Sequence, residues 1–349
     1  MAKETGYHVA VVGATGAVGE QMLLTLAERN FPISKLTLLS SKRSAGKILK
    51  YKGEEIVIQE ATPESFEGVQ LALFSAGGSV SQALAPEAVK RGAIVVDNTS
   101  AFRMVPEIPL VVPEVNEADL HNHNGIIANP NCSTIQMVVA LEPIRKQYGL
   151  KKVIVSTYQA VSGAGINAVN EMNEQTAAIL EGKEFTPEIL PCGSDKKFYQ
   201  IAFNAIPQID KFQDNGFTFE EMKMINETKK IMNQADLSVA ATCVRIPVET
   251  GHSESVFLEV EELGLTAEKM KALLREAPGV VLEDDPDNQV YPLAVNSVGK
   301  NDVFVGRVRE DLDNKKGFHM WVVSDNLLKG AAWNSVQISE SLVKLGLLK

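Results

Sequence analysis

Short apolar runs punctuate the first third of the chain: HVAVVG (8–13), KLTLLS (35–40), EIVIQE (55–60), VQLALFS (69–75), AIVVDN (93–98) and PLVVPE (109–114). Between them lie amphipathic stretches such as VGEQMLLTLAERN and SVSQALAPEAVKRG, whose apolar residues recur at helical spacing. Strands alternating with helices predict βαβ units, right-handed crossovers and a parallel sheet, an α/β domain. After a helix predicted near 132–148 the pattern changes. VIVSTYQAVSG (153–163) alternates at period two, and 238–262 reads as two strands around the turn ETGHSE. NDVFVGRVRE (301–310) and GFHMWVVSD (317–325) read as a hairpin. Strands grouped this way predict a second, mostly antiparallel mixed sheet, with helices at 165–181, 219–233 and 266–276. The last helical stretch, NLLKGAAWNSVQISESLVKLG, can return to the first domain. The predicted domains are 1–130 plus 327–349, and 131–326.

Length and charge narrow the classes. At 349 residues the chain has room for about two domains. Lys+Arg total 34 and Asp+Glu 44, a net charge of −10, which argues against nucleic acid and anionic membrane as partners. Cys132, Cys192 and Cys243 are too scattered for a disulfide framework, and no CxxC spacing suggests zinc, so no metal is expected. The opening MAKETGYHVAVVG lacks a basic segment followed by a long apolar one, so a cytoplasmic protein is expected.

The first predicted strand runs into Gly13-Ala14-Thr15-Gly16-Ala17-Val18-Gly19 and then a helix. GxxGxxG is a variant of the dinucleotide fingerprint. Its glycines allow a tight turn, close backbone approach to a pyrophosphate and close helix packing. The second strand ends without the carboxylate that would face a ribose 2′-hydroxyl. Ser40, Ser41, Lys42, Arg43 and Ser44 stand there instead, which suits a 2′-phosphate and hence NADP, a solvated basic loop being the alternative.

Candidate chemistry lies in NGIIANPNCSTIQMVVALEPIRKQYG. Asn129-Pro130-Asn131 reads as a turn, so Cys132 falls at a helix start, where free amides and the helix dipole favour thiolate. The same amides, with Asn131, could bind an oxyanion. A nucleophilic cysteine beside a dinucleotide site suggests an oxidoreductase working through a thiohemiacetal and a thioester, and that scheme needs a proton carrier. Of the five histidines, His252 on the turn in ETGHSES is best placed, with Arg245 on the preceding strand. His121 and His123 read as a solvated loop, His8 and His319 as strand residues, and Cys192 and Cys243 as structural.

These motifs, with FSAGGSVS, DNTSAFRM, VPEVN, NPNCST, YQAVSGAG, FTFEEMK, VRIPVETGHSES and DNLLKGAAWNSVQI following in order, resemble the bacterial aspartate-semialdehyde dehydrogenases. GATG with NPNC alone would admit the related N-acetyl-glutamyl-phosphate reductases; EEMK and RIPVETGH favour the aspartate family. The resemblance implies a Rossmann-type dinucleotide-binding domain plus an α+β catalytic and dimerisation domain, paired as a homodimer. It also implies a place in lysine, threonine and methionine synthesis, reducing aspartyl phosphate to aspartate semialdehyde and phosphate.

By resemblance, Cys132 is the nucleophile, His252 the acid/base group and Gln159 an orienting residue, with Asn131 nearby. Arg245 binds the substrate carboxylate, Glu220 its ammonium, and Arg103 and Lys223 the phosphate. The glycine loop, Arg43, Ser44, Ser75-Ala76-Gly77-Gly78, Ser162, Gly163 and Asn326 line the NADP site. Read without the resemblance, Glu220 and Lys223 are an ion pair on one helix face. A related acyl-phosphate or malonyl-CoA reductase, or a non-catalytic NADP-binding sensor, remain the alternatives.

Overall fold

A computed structural model describes residues 6–348. The first five residues of the opening segment, and Lys349 at the end of the returning stretch, lie outside the described residues. The chain divides into two compact units, one running through Asn131 and resuming at Ala331, the other spanning Cys132–Gly330.

The first unit begins with β1 (Tyr7–Val12), α1 (Ala17–Glu28), β2 (Ile33–Ser40), β3 (Ile48–Tyr51), β4 (Glu54–Val57), β5 (Gln59–Glu60) and β6 (Leu71–Phe74). It continues with α2 (Gly78–Lys90), β7 (Ile94–Asp97), α3 (Pro113–Asn116) and β8 (Ile126–Ala128). Six strands form a parallel sheet in the order β5-β2-β1-β6-β7-β8. Both faces of β1 are buried: Val9 and Val11 join Met22 and Leu26 of α1 in one core, while Ala10 and Val12 join Ala85 and Ala88 of α2 in another. This is the doubly wound arrangement, with its switch point where the order reverses, between β1 and β6.

Two apolar runs depart from the strand reading. PLVVPE buries Leu110, Val111 and Val112 but makes only an isolated bridge, Leu110 to Ala128, before α3 begins at Pro113. Pro109 and Pro113 lack the N–H groups a ladder needs, and the strand there is instead β8. EIVIQE is divided: β4 pairs with β3 in a hairpin, and only Gln59 and Glu60 join the main sheet. The hairpin turns at Lys52 and Gly53, both at positive φ (49° and 87°), which suits the twist of a two-residue loop.

The second unit contains α4 (Cys132–Tyr148), β9 (Lys152–Gln159), α5 (Ile166–Leu180), α6 (Phe219–Ile231), β10 (Ser238–Arg245) and β11 (His252–Glu259). Then come α7 (Ala267–Glu276), β12 (Val280–Leu282), α8 (Ala294–Ser297), β13 (Val303–Glu310) and β14 (Gly317–Ser324). The sheet order is β10-β9-β11-β14-β13-β12, antiparallel in the middle and parallel at both ends. The two strands around ETGHSE are therefore not partners, because β9 lies between them. Helix α4 is buried on nearly every side, consistent with its apolar run from Ile135 to Leu141.

Back in the first unit, α9 (Trp333–Lys344) packs against α1 and β7 and adds Val336, Ile338 and Leu342 to the core of Val9 and Leu26. No helix among the described residues is long and apolar enough to cross a membrane.

Candidate active site

In the first unit, the carboxyl ends of β1, β2 and β6 open on a cleft of about 610 Å³. Gly13, Thr15, Gly16, Ser40, Ser41, Ser75 and Ala76 line it. Gly13 has φ +87°, and a Cβ there would lie 2.5 Å from the Ser75 carbonyl oxygen, so only glycine fits the turn. Gly19 is buried against the Gly13 backbone and leaves no room for a side chain. Helix α1 starts after Gly16 with no side-chain cap, so its first amides are available to an anion. Of the remaining loop residues, Ala14 is buried, Ala17 opens α1 and Val18 packs on the core. Gly77 and Gly78 head α2.

The basic turn after β2 is arranged differently from its reading. Lys42 lines the cleft; Arg43 is exposed outside the lining and Ser44 is buried in the turn. Sequence reasoning missed Glu60 and Ala61, which line the cleft beside Ser40 because β5 pairs with β2. A two-residue strand carries no periodicity that could have revealed them.

Arg103 is 7% exposed and held by backbone: Nε donates to the Asn129 carbonyl (2.9 Å) and Nη2 to that of Asn98 (2.9 Å). The side-chain amide of Asn129 donates to Asn98 (2.8 Å) and accepts from Asn334 on α9 (2.7 Å). Asp97 braces the same loop, accepting from Ser81 (2.8 Å) and from the Thr99 hydroxyl (2.8 Å). Burial raises its pKa, and those hydrogen bonds oppose the rise. Asn131 ends this unit, buried.

The second unit gathers the other candidates at one end of its sheet. Along β9, β10 and β11, Gln159, Arg245 and His252 all project from the helix-covered face and are buried. Cys132 is the first residue of α4 and half-buried. Gly330 packs against it so closely that a Cβ there would lie 2.8 Å from the Cys132 Cβ. Glu220 and Lys223 sit near the start of α6, which is fixed by a capping box: Thr218 accepts from the Glu221 amide (3.2 Å) and Glu221 from the Thr218 amide (2.7 Å). The other Glu221 oxygen accepts from Cys243 N–H (3.1 Å), tying α6 to β10. The T-x-x-E spacing of Thr218 and Glu221 is the sequence signal for this device.

Gln159 donates to Glu220 (3.1 Å), and Lys223 bridges Glu220 (3.2 Å) and Asp210 (3.0 Å). Asp210 was not legible, since it lies on an irregular segment at φ 65°. Arg245 donates from Nη1 to the Ala160 carbonyl (2.7 Å), and its Nε has no partner among the described residues. Burial lowers its pKa, while Glu220 and Cys132 favour the charge.

His252 is fully buried. The Ala160 N–H donates to its Nδ1 (3.0 Å), which puts the proton of the neutral ring on Nε2. Among the described residues Nε2 has no partner; it faces Gly163, where a Cβ would lie 3.4 Å from it and 2.9 Å from Arg245 Nη1. Burial and the Arg245 charge push its pKa down to about 3. Ser162 and Asn326 are paired beside this corner (3.0 Å), and Asn326 also accepts from Gly251 N–H (2.9 Å). Cys243 is buried, its thiol pKa pushed up by burial; Cys192 is half-buried against Ser194. His8 bonds Thr37, and His319 bonds Asp311.

Comparison with known proteins completes the picture. Residues 8–123 match the family described as semialdehyde dehydrogenase, NAD binding domain, and 141–329 the semialdehyde dehydrogenase dimerisation domain. The aspartate-semialdehyde dehydrogenase of Bacillus subtilis is 74% identical over 98% of this chain and 99% of that protein. Aspartate-semialdehyde dehydrogenase II of Vibrio cholerae, solved in complex with ASA, has a TM-score of 0.91 at 47% identity, covering 97% of this chain and 98% of that one. A Candida albicans aspartate-semialdehyde dehydrogenase solved with NADP has a TM-score of 0.74 at 26% identity, covering 97% and 99%. The chain belongs to the aspartate-semialdehyde dehydrogenase family, and its activity is that of an aspartate-semialdehyde dehydrogenase.

Proposed function

We propose that the chain carries out this reaction as a reversible, NADP-dependent reductive dephosphorylation of L-4-aspartyl phosphate, through a thioester on Cys132. The observation that carries the reading is the grouping, within the second unit, of a helix-first cysteine, a buried Arg245 whose charge Glu220 favours, and a buried histidine with Nε2 unpartnered among the described residues. The residues of the first cleft fit NADP: a glycine cradle, uncapped α1 amides for the pyrophosphate, and Lys42 for a 2′-phosphate. When bound, NADPH supplies the hydride that reduces the thioester.

The chain's own residues do the rest. Cys132 thiolate adds to the acyl carbonyl and expels phosphate, for which Lys223 is the cation the second unit offers and Arg103 the one the first unit offers. Arg245 takes the substrate carboxylate in a two-point fork, and Glu220, steadied by Gln159, takes the ammonium. His252 works as a neutral donor, since Nδ1 is already occupied by the Ala160 amide. Its Nε2–H stabilises the oxyanion of each tetrahedral adduct without accepting the thiol proton. We assign the two units as NADP-binding and catalytic domains, and the protein as a cytoplasmic homodimer.

Cys132→Ala should retain the fold and abolish phosphate-dependent oxidation of aspartate semialdehyde; full activity would refute the mechanism. His252→Gln keeps an N–H donor and should retain about a hundredfold more activity than His252→Ala, a donor's share of oxyanion stabilisation. Equal loss in both variants would return His252 to the role of base.

A further inference from the structure

A carboxyl group lies in the second unit where no catalytic role calls for one. Glu254 is two residues beyond His252 on β11 and projects from the same helix-covered face, with no exposure to solvent. Among the described residues neither of its oxygens has a hydrogen-bond partner. Across the sheet it stands opposite Thr157 on β9 and Val322 on β14, with Cys243 facing it from β10. From α4 the amide of Gln136 lies against it. Gln136 also donates to the His252 carbonyl (3.4 Å), and it follows Cys132 by four residues, one helical turn below the nucleophile.

Among the described residues no cation acts on an ionised carboxylate here. The titratable neighbours are Cys243 and His252, and burial keeps both neutral. Burial likewise raises the Glu254 pKa well above the usual carboxylate range, opposed by the Gln136 amide alone. A buried charge without a partner costs far more than a buried neutral acid, which still offers a carbonyl to an amide donor.

We propose that Glu254 is held as the neutral acid and is a positioning residue. Gln136 joins the nucleophile's helix to the histidine's strand through its bond to the His252 carbonyl, and the un-ionised Glu254 carboxyl, lying against the same amide, holds it in that place. The proposal rests on the reading of Cys132 and His252 given above, but its first test does not depend on activity. In infrared difference spectra of the whole enzyme, wild type against Glu254→Gln, the carbonyl stretch of an un-ionised acid should appear at neutral pH and downshift in D2O. A carboxylate band in its place overturns the proposal, even if Cys132→Ala behaves as expected. The acid band would stand even if Cys132→Ala kept its activity, so the two failures are distinguishable.

The positioning role is read by rate. Glu254→Gln preserves a neutral carbonyl, so kcat should stay within about threefold and the pH profile of Cys132 alkylation should not move. A shift of that profile by about one pH unit would show that a charge had been removed. Gln136→Met keeps the length but not the amide. It should lower kcat per enzyme with a titratable Cys132 thiol by roughly tenfold to hundredfold, with KM for aspartate semialdehyde little changed. Full kcat in that variant, or a matching rise in KM alone, overturns the positioning role.

Discussion

The proton on His252 Nε2 matters for stability as well as chemistry. Its pKa in the fold is about 3, against 6.5 for a free histidine. Between those values the unfolded chain binds a proton that the folded chain refuses, so stability falls as pH drops below 6.5. Urea midpoints should therefore decline more steeply for the wild type than for His252→Gln between pH 6.5 and about 4. Parallel slopes would mean the ring is not held neutral. Part of the site's cast was legible: the NPN turn marked Cys132 as a helix start and the strand pattern held Arg245, whereas Gln159 entered through the resemblance alone and His252, read on a turn, opens β11. Which ring nitrogen bears the proton was not, because the Ala160 amide reaches Nδ1 across 92 positions of sequence. Gly330 was silent for the same reason: its closeness to Cys132 is a tertiary fact.

At the scale of elements, α6 depends on its first turn. Thr218 and Glu221 satisfy each other's amides, and Glu221 also anchors Cys243 on β10. Glu220 and Lys223 take their direction from that anchored turn. Thr218→Val should cost about 1 kcal/mol of stability in urea unfolding, the usual worth of a cap. It should also raise KM for aspartate semialdehyde several-fold; an unchanged KM would mean Glu220 is positioned by Gln159 without help from the cap. Strand periodicity failed where backbone donors were missing, as at Pro109 and Pro113, or where one run was divided between two sheets, as at Ile58 in EIVIQE. It succeeded where one face of a long strand is covered, as on β9, where Val153, Val155, Thr157 and Gln159 alternate with Ile154, Ser156 and Tyr158.

For the whole molecule, a net charge of −10 favours solubility and says little about an anionic substrate, whose charges would meet a few local cations. The opposite face of the second sheet carries Tyr158 against Trp321 (ring centroids 5.5 Å apart), in the segment matching the dimerisation family. Trp321→Glu should shift sedimentation from dimer to monomer, while a dimer of unchanged affinity would place the contact elsewhere. A further consequence concerns synthesis. Helix α9 completes a core whose earliest members, among them Val9, Val11 and Leu26, leave the ribosome more than three hundred residues before Val336. The first sheet therefore waits, one face covered by α1 but not yet by α9, while the entire second unit is translated. A nascent chain of this kind offers apolar surface to chaperones for most of its time on the ribosome.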